Sequence, residues 1–298
     1  MTALKPFELH RAETVAEATG LLGEYGDDAV PYCGGTELLL LMKLGLGAYD
    51  HLVDIKPIVE LAGIDVHDGE LRIGAAVTHR AIERSPAVAR GWPQLIAMER
   101  QVANLRVRAT GTLGGNLAFA DPHSDPATFL LAAGADLVLG RGNDRRRVPM
   151  SAFVEGPWTT MLESGELVVA IHVPPVPEGA GLAHLRFAFH ERPAVTVSCL
   201  ARIKEGRVAE TRIAVGSVGL APLRVPAAEA RLLDLDAADP DPSVLAAAGA
   251  AAATASDPIA DSNGSVDYKA HLVGVLVGRA VRAAIEDATA PRAGSAAA

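Results

Sequence analysis

Residues 110–126 read TGTLGGNLAFADPHSDP and residues 31–43 read PYCGGTELLLLMK, so two pairs of adjacent glycines interrupt otherwise apolar stretches. Glycine costs conformational entropy when it is ordered, but it lets the main chain approach a ligand closely and lets successive N–H groups converge on an anion. The two pairs therefore predict two phosphate-contacting segments. The alternative is two ordinary turns, since the chain contains 29 glycines and isolated glycine motifs are weak signals.

The first pair, Gly34 and Gly35, stands where an anion-binding turn would be expected. The apolar run 29–33 predicts a strand that enters the pair, and Thr36 can cap a helix or turn that continues through the apolar run 38–46. The N-terminus of such a helix would add a partial positive charge. This order of elements favours a phosphate or pyrophosphate ligand.

The second pair predicts another loop of the same kind. Thr112, Gly114, Gly115 and Asn116 could form a wall that faces the first pair. Two facing walls suit a pyrophosphate-linked cofactor better than a mononucleotide. Asp125 precedes a proline, which is typical of an N-cap at the start of a helix. Its carboxylate is also a candidate for contact with a ribose hydroxyl or another polar group of the ligand, and the two roles do not exclude each other.

The length and charge of the chain limit the classes of protein that it can belong to. Its 298 residues suggest two or three domains. Lys and Arg number 27 against 36 Asp and Glu, so the formal net charge is −9, which argues against a nucleic-acid-binding protein. We interpret the dense basic run 145–147 as the solvated end of a hairpin, with a docking patch for a partner as the alternative.

The two cysteines, Cys33 and Cys199, are far apart in the sequence, and no CxxC is present. We therefore expect no zinc knuckle, no iron–sulfur cluster held by this chain and no disulfide framework, and we predict no metal site. The first residues lack the apolar core of a signal peptide, and the run 38–42 is too short to span a bilayer. The expectation is a reduced, soluble protein of the cytoplasm.

Sequence motifs for other chemistries are missing. No GxGxxG is followed by an acidic residue at dinucleotide-fold spacing, no Walker motif is present, and Val215 breaks the GxSxG pattern around Ser217. The nine histidines include no HExxH. We find no acid–base or nucleophile constellation and predict no catalytic residue. A cofactor that carries the chemistry itself would explain this.

Hydrophobic periodicity and turn residues predict helices and strands along the whole chain. A capping-box pattern, TVAE at 14–17, begins a helix that is expected to end near Gly26. Further helices are predicted to open at 78, 93 and 125 and to lie at 227–233, 246–254 and 268–285. Strands are predicted at 51–55, 71–76, 167–173, 194–203 and 211–218, with a hairpin around GRGND and an interdomain connector at 174–181.

The sequence resembles one known family over nearly its whole length. Two stretches resemble the FAD-binding loops of the flavin subunits of molybdenum hydroxylases: CGGTELL at 33–39 and ATGTLGGNLAFADPHSDP at 109–126. This group contains xanthine dehydrogenase, carbon monoxide dehydrogenase and aldehyde oxidase. The last strand of that family's FAD domain is similar to ELVVAIHVP at 166–174. Its C-terminal domain is similar to VGSVGLAPLRVPAAEARL at 216–233 and VDYKAHLVGVLVGRAV at 266–281.

The resemblance implies an α+β protein. Its FAD-binding domain would be of the p-cresol methylhydroxylase type, in two parts, and would be followed by a C-terminal α+β domain. The expected boundaries are 1–57 for the first FAD-binding subdomain, 58–175 for the second, 182–288 for the C-terminal domain and 289–298 for a disordered tail. FAD would lie between the two subdomains, with its pyrophosphate against the glycine segments.

The resemblance also implies which residues contact FAD. They are Cys33, Gly34, Gly35, Thr36, Glu37 and Leu38 from the first segment, Thr112, Gly114, Gly115, Asn116 and Asp125 from the second, and Val168 and Arg186 beyond them. The family often has alanine at the position of Cys33 and glutamine or serine around Thr36 and Glu37. Cys33 is then expected to be a small apolar filler, and the direction of the Glu37 carboxylate is left open.

The implied role is that of an electron-transfer subunit. In the family, a molybdenum–pterin centre in a large subunit oxidises the substrate, and electrons pass through two [2Fe–2S] clusters in a small subunit to FAD. The acceptor beyond FAD is NAD⁺, oxygen, a quinone or another carrier, and the assembly is a dimer of heterotrimers. Two alternatives remain: a self-contained FAD oxidoreductase with its own small substrate, and an assembly protein that has lost the cofactor.

Overall fold

The structure, a computed structural model, describes residues 4–290. They divide into two units. The first contains the chain up to Ala127 together with Gly134–Pro175, and the second contains Thr128–Ala133 and the chain from Val176 onward. Both units combine helices with β-sheet, which confirms the predicted α+β class. No helix within residues 4–290 has both the length and the apolar composition that crossing a bilayer requires.

The first unit contains three sheets and a series of short helices. Its strands are β1 (Glu8–Arg11), β2 (Ala29–Tyr32), β3 (His51–Asp54), β4 (Ile64–His67), β5 (Glu70–Gly74), β6 (Asp136–Arg141), β7 (Asp144–Pro149), β8 (Val154–Gly156), β9 (Thr159–Thr160) and β10 (Leu167–Val173). Its helices are α1 (Val15–Tyr25), α2 (Leu38–Leu44), α3 (His79–Glu83), α4 (Pro86–Gly91), α5 (Pro93–Glu99), α6 (Leu105–Thr110), α7 (Leu113–Phe119), α8 (Asp125–Ala133, whose residues from Thr128 belong to the second unit) and α9 (Met150–Phe153).

A small parallel sheet has the strand order β1-β3-β2. Helix α1 connects β1 to β2, and its start confirms the predicted cap by Thr14, while the reciprocal bond of the capping box is shifted by one residue. The Thr14 hydroxyl accepts the N–H of Glu17, and the Glu17 carboxylate accepts the N–H of Glu13. The helix ends at Gly26, as predicted, and its apolar face shares a buried core with Val53 of β3.

A larger antiparallel sheet has the strand order β4-β5-β10-β6-β7. Its central strand β10 coincides with the predicted strand at 167–173, and every residue of it except His172 is buried. The predicted hairpin around GRGND is confirmed as β6 and β7. The remaining strands of this unit, β8 and β9, form a separate two-stranded sheet.

The basic run 145–147 lies on β7 of the hairpin, with Arg145 and Arg147 exposed as predicted, and its side chains are also paired. Each guanidinium forms an ion pair with a carboxylate of the same unit: Arg145 with Glu60, Arg146 with Glu166, and Arg147 with Glu70. Hydrogen bonds from the arginines hold the pKa of each of these carboxyls below its usual value. The run therefore links β7 to β5 across the sheet, through Glu70, and to the segments that contain Glu60 and Glu166.

The second unit contains an antiparallel sheet and long helices that pack on it. Its strands, in spatial order, are β11 (Ala180–Phe187), β12 (Val195–Lys204), β13 (Arg207–Gly216) and β14 (Leu223–Arg224). Its further helices are α10 (Pro226–Glu229), α11 (Pro242–Ala255) and α12 (Val266–Thr289). Residues of the sheet, including Cys199 and Ile213, form one core with residues of α12, including Val277 and Val281.

Helix α12 is longer than the predicted span 268–285 at both ends; it begins at Val266, where the Ser265 side chain caps it by accepting the N–H of Tyr268, and it continues to Thr289. The predicted connector 174–181 is shorter in the structure, since β11 already begins at Ala180. Helix α12 includes Thr289, the first residue of the predicted tail 289–298. From residue 291 onward that tail lies outside the described residues.

Helices α11 and α12 approach each other closely at Gly249. A Cβ here would lie 2.4 Å from the carbonyl oxygen of Gly274, whereas a Cβ at Gly278 would meet only Leu245, at 3.8 Å. We expect Gly249→Ala to destabilise the unit by about 1–3 kcal/mol because the helices must move apart. The matched variant Gly278→Ala should stabilise it by about 0.5–1 kcal/mol through helix propensity. Urea unfolding measures both, and equal effects of the two substitutions would contradict the close helix contact.

Candidate cofactor site

The two glycine segments meet through their main chains within the first unit. A Cβ on Gly34 would lie 2.4 Å from the carbonyl oxygen of Thr110 and 2.8 Å from the Cα of Gly111. Real Cβ atoms do not approach backbone this closely, so any other residue at position 34 would push the segments apart. The expectation that the two segments face each other is therefore confirmed.

The first segment leaves several main-chain donors available. Gly35 has φ +67°, and a Cβ there would lie 2.6 Å from Cε2 of Tyr32, so the turn requires glycine on both counts. Among the described residues, no protein acceptor receives the N–H of Gly35, Thr36 or Leu38. The N-cap of α2 is Glu37, so the prediction that Thr36 caps this helix is wrong. The segment thus forms a turn with three unengaged N–H donors.

The second segment is a helix, and its prediction as a loop is wrong. Gly114 and Gly115 lie in the first turn of α7, and Thr112 is its N-cap. The N–H of Gly115 donates to the Thr112 hydroxyl, and the N–H of Gly114 donates to the carbonyl oxygen of Ala75. Since protein acceptors take both N–H groups, this pair does not offer main-chain donors to an anion in this structure.

Steric contact explains the glycine at position 114. A Cβ on Gly114 would lie 2.5 Å from the Cβ of Ala75 and 2.7 Å from its carbonyl oxygen. Ala75 in turn donates its N–H to the carbonyl oxygen of Val169, in the centre of β10. Helix α7 is thereby attached to the larger sheet through one intermediate residue. The predicted contact residue Val168 is the neighbour of Val169 in β10 and is buried.

A small polar network connects Asn116 with the start of α8. The Ser124 hydroxyl donates to Oδ1 of Asn116 at 2.7 Å and accepts the N–H of Ala127. Ser124 therefore caps α8, and the prediction that Asp125 is the N-cap is wrong: Asp125 is the first helical residue. Its side chain is almost fully buried, with only 4% of the residue exposed. Asp125 follows Ser124 directly in the chain, and the contact of Asn116 and Asp125 with a cofactor stays a prediction.

Cys33 connects the two segments. Its thiol is hydrogen-bonded to the Thr112 side chain and lies beside the N–H of Gly34. Burial raises the pKa of this thiol above its ordinary value. A half-buried, neutral thiol between two segments agrees with the expectation that Cys33 fills space.

Two residues next to this contact were not predicted from the sequence. His79 donates its main-chain N–H to the carbonyl oxygen of Gly111, and its Nδ1 lies 2.7 Å from Oε2 of Glu99. Both side chains are buried, and within the described residues Oε1 of Glu99 has no hydrogen-bond partner. Twenty residues separate His79 from Glu99, and no motif connects them.

Arg186 lies in β11 of the second unit, where its guanidinium donates to the carbonyl oxygen of Glu191. Its contact with a cofactor stays a prediction. Of the residues expected to contact FAD, the observed contacts bring Cys33 and Gly34 of the first segment to Thr112 and its neighbours in the second, and FAD contact by all of the predicted residues stays a prediction.

Comparison with protein families identifies both parts of the chain. Residues 5–176 match the FAD-binding domain in molybdopterin dehydrogenase, and residues 188–284 match the carbon monoxide dehydrogenase flavoprotein C-terminal domain. The chain belongs to the family of FAD-binding subunits of molybdenum hydroxylases. The resemblance read from the glycine segments is thereby confirmed, as are the FAD-binding domain and the oxidoreductase class.

Individual relatives agree with the family. The carbon monoxide dehydrogenase medium chain of Hydrogenophaga pseudoflava is 36% identical over 280 residues, which cover 93% of this chain and 96% of the relative. The putative xanthine dehydrogenase FAD-binding subunit of Escherichia coli K12 is 36% identical over 225 residues, covering 74% and 77%. A solved carbon monoxide dehydrogenase from Hydrogenophaga pseudoflava, lacking the Mo-pyranopterin moiety, matches with a TM-score of 0.91, 35% identity and coverage of 95% and 98%.

The environment of Cys33 predicts a thiol of low reactivity. Because its pKa is raised, a smaller fraction is thiolate at any pH below that value than for an ordinary cysteine. Cys199 is fully buried and equally protected. We expect a disulfide reagent to modify the native chain far more slowly than the chain unfolded in guanidinium chloride, and faster as the pH rises. The single variants Cys33→Ala and Cys199→Ala assign the modified residue. Rapid modification of Cys33 at neutral pH would exclude a buried thiol here.

Proposed function

We propose that this chain is the FAD-carrying electron-transfer subunit of a heteromeric molybdenum hydroxylase. Family membership supports the assignment of FAD as the cofactor. The structural observation that carries the assignment is the set of three main-chain N–H groups in the first glycine segment that have no protein acceptor within residues 4–290. When bound, FAD supplies redox chemistry that can accept electrons from [2Fe–2S] clusters and release them to an external acceptor. This chain's own contribution is to bind and orient the cofactor.

The first segment fits the pyrophosphate of FAD. Main-chain donors at Gly35, Thr36 and Leu38 lie within four consecutive positions, and an anion receives charge-assisted hydrogen bonds from such donors. Because Gly34 and Gly35 have no Cβ, the turn can pack directly on Thr110, Gly111 and Tyr32. In this proposal the turn holds the phosphates through its backbone, so the departure from the family at Thr36 and Glu37 affects binding little.

The second segment acts as the opposite wall by shape and by side chains. Thr112, Gly114 and Gly115 fix the first turn of α7 against the larger sheet. Gly115 is exposed at the surface of that turn, so a ligand can approach the main chain there. Asn116 and Asp125 provide polar groups beside it for the ribose or another polar part of the cofactor. Cys33, Val168 and Arg186 complete the proposed set.

The domain organisation of the proposal is the one expected from the sequence. FAD-binding subdomains at 1–57 and 58–175 would hold the cofactor, and the domain at 182–288 would follow them. The partners would be a small [2Fe–2S] subunit and a large molybdopterin subunit, assembled as a dimer of heterotrimers in the cytoplasm. The cysteine content of the chain supports the placement of the iron–sulfur clusters in a partner, since its two cysteines, Cys33 and Cys199, are too few to hold a four-cysteine cluster.

Two glycines that flank the same helix give a matched test of the FAD site. Gly35 (φ +67°) precedes α2 and Gly45 (φ +73°) follows it, so alanine carries a similar backbone penalty, roughly 1–2 kcal/mol, at either position. Only Gly35→Ala disturbs the proposed phosphate turn. We expect it to weaken FAD binding at least about tenfold, because one lost charge-assisted hydrogen bond costs about 1.5–3 kcal/mol. Flavin absorbance and chromatography of the released cofactor measure the FAD content.

Wild type and Gly45→Ala should retain FAD at one per chain. If all three proteins bind FAD equally, the turn at Gly35 is not its phosphate site. If none binds FAD even after incubation with it, the electron-transfer proposal fails for the isolated chain. Steady turnover of a small substrate by the isolated chain would instead favour a self-contained oxidoreductase.

The partners are tested by isolating the assembly through an affinity tag on this chain in its natural host. We expect two further subunits, bound FAD, and iron and molybdenum in amounts that correspond to two [2Fe–2S] clusters and one molybdenum centre per chain. The electron paramagnetic resonance signals of the reduced [2Fe–2S] clusters should decay when an external electron acceptor is added. Recovery of the chain with FAD but without iron-containing or molybdenum-containing subunits would contradict the heteromeric assignment.

A further inference from the structure

Three potential metal ligands converge at one end of the small parallel sheet. One ligand atom from each of Glu8, His10 and His51 lies within 4.8 Å of the other two. Nε2 of His10 is 3.0 Å from Nδ1 of His51, and Oε2 of Glu8 is 3.8 Å and 3.7 Å from these two nitrogens. The cluster uses none of the residues of the two cofactor segments.

The geometry of the sheet places these side chains on one face. Glu8 and His10 are two residues apart on β1, so their side chains point to the same side. His51 on β3 is the register partner of Glu8 in the parallel pairing of β1 and β3. The convergence therefore follows from regular strand structure and needs no unusual backbone.

An aromatic ring fixes the orientation of both imidazoles. Tyr25, the last residue of α1, stacks on His51 with ring centroids 3.8 Å apart and on His10 with centroids 5.1 Å apart. Both histidine side chains are one-fifth exposed, whereas that of Glu8 is mostly exposed. Two imidazoles held in place beside an exposed carboxylate leave an approach from solvent open.

We propose that Glu8, His10 and His51 form a site for Zn²⁺ or a similar divalent transition-metal ion. Two imidazole nitrogens, one carboxylate oxygen and a water would complete a tetrahedron. With metal–nitrogen bonds of about 2.0–2.1 Å, tetrahedral ligand atoms lie about 3.3 Å apart, so shifts of a few tenths of an ångström suffice. Both facing ring nitrogens bind as lone-pair donors, so each ring carries its proton on its other nitrogen.

The ion would join β1 to β3 at the end of the sheet opposite the glycine turn. His51 is paired with Ala29, where β2 begins, and β2 ends at Tyr32, just before Cys33. Along a strand this separation is about 13 Å. The site therefore stabilises the small parallel sheet β1-β3-β2, whose strand β2 leads into the first glycine segment. It takes no part in electron transfer.

The test is calorimetric titration of the chelator-treated full chain with Zn²⁺, supported by the visible spectrum of the Co²⁺-loaded protein. Wild type is expected to bind one ion per chain and to show the intense ligand-field bands of four-coordinate Co²⁺. His10→Ala and His51→Ala should each weaken binding more than about tenfold, since even changes outside the ligand shell cost about 10–100-fold. Zn²⁺ should raise the Tm of wild type and not that of these variants.

The matched control is His67→Ala, because the His67 side chain is 87% exposed in the same unit and lies outside the cluster. It should bind Zn²⁺ as wild type does. Glu8→Gln keeps the Tyr25 stack and removes only an exposed carboxylate, so it reports on ligation even if a histidine variant folds poorly; it should also bind more weakly. Absence of Zn²⁺ binding by wild type, or wild-type affinity in Glu8→Gln and both histidine variants, would overturn the proposal.

Discussion

The direct packing of Gly34 on the main chain of Thr110 and Gly111 is the contact on which the candidate site depends. A side chain at position 34 would separate the segments by about the width of a methyl group. That displacement would break the hydrogen bond between Cys33 and Thr112 and turn the free donors of the first segment away from the second. The first glycine pair thus determines the width of the site before any ligand is considered.

Both glycine pairs depend on the absence of a Cβ, but with opposite effects on the N–H groups of their turns. In the first, positive φ at Gly35 turns the chain so that N–H groups remain unengaged. In the second, the missing Cβ of Gly114 lets α7 pack against Ala75, whose carbonyl oxygen takes the N–H of Gly114, while the N-cap Thr112 takes the N–H of Gly115. One wall therefore offers donors, while the other offers shape and rigidity. A pyrophosphate needs donors from only one side if the other side excludes water.

Sequence patterns correctly predicted those structural elements that are determined by residues close together in the chain. The cap at Thr14 and the stop at Gly26 involve neighbours within a few residues, and both are confirmed. Helix α7 was missed because adjacent glycines have low helix propensity, while Gly114 packs on Ala75, which is distant in the sequence, and Thr112 caps the first turn. The cap at Ser124 was assigned one residue late because Asp125 has the stronger local signal. That the two glycine segments lie together was expected from their shared motif, whereas the particular atoms in contact, such as Gly34 on Thr110 and Gly111, have no sequence signal.

The buried pair of His79 and Glu99 illustrates what neither local signals nor the family resemblance revealed. A buried carboxyl with an unpartnered oxygen is a costly feature, and a hydrophobic pair of similar volume would often be more stable. Its location gives the reason for its presence. The main-chain N–H of His79 holds the carbonyl oxygen of Gly111, and its ring lies directly behind the point where Gly34 makes contact. By fixing the ring of His79, Glu99 holds Gly111 in place from behind. The polar pair thus lowers stability but keeps Gly111 in a fixed position, as expected where the tolerance for movement between two packed main chains is a few tenths of an ångström.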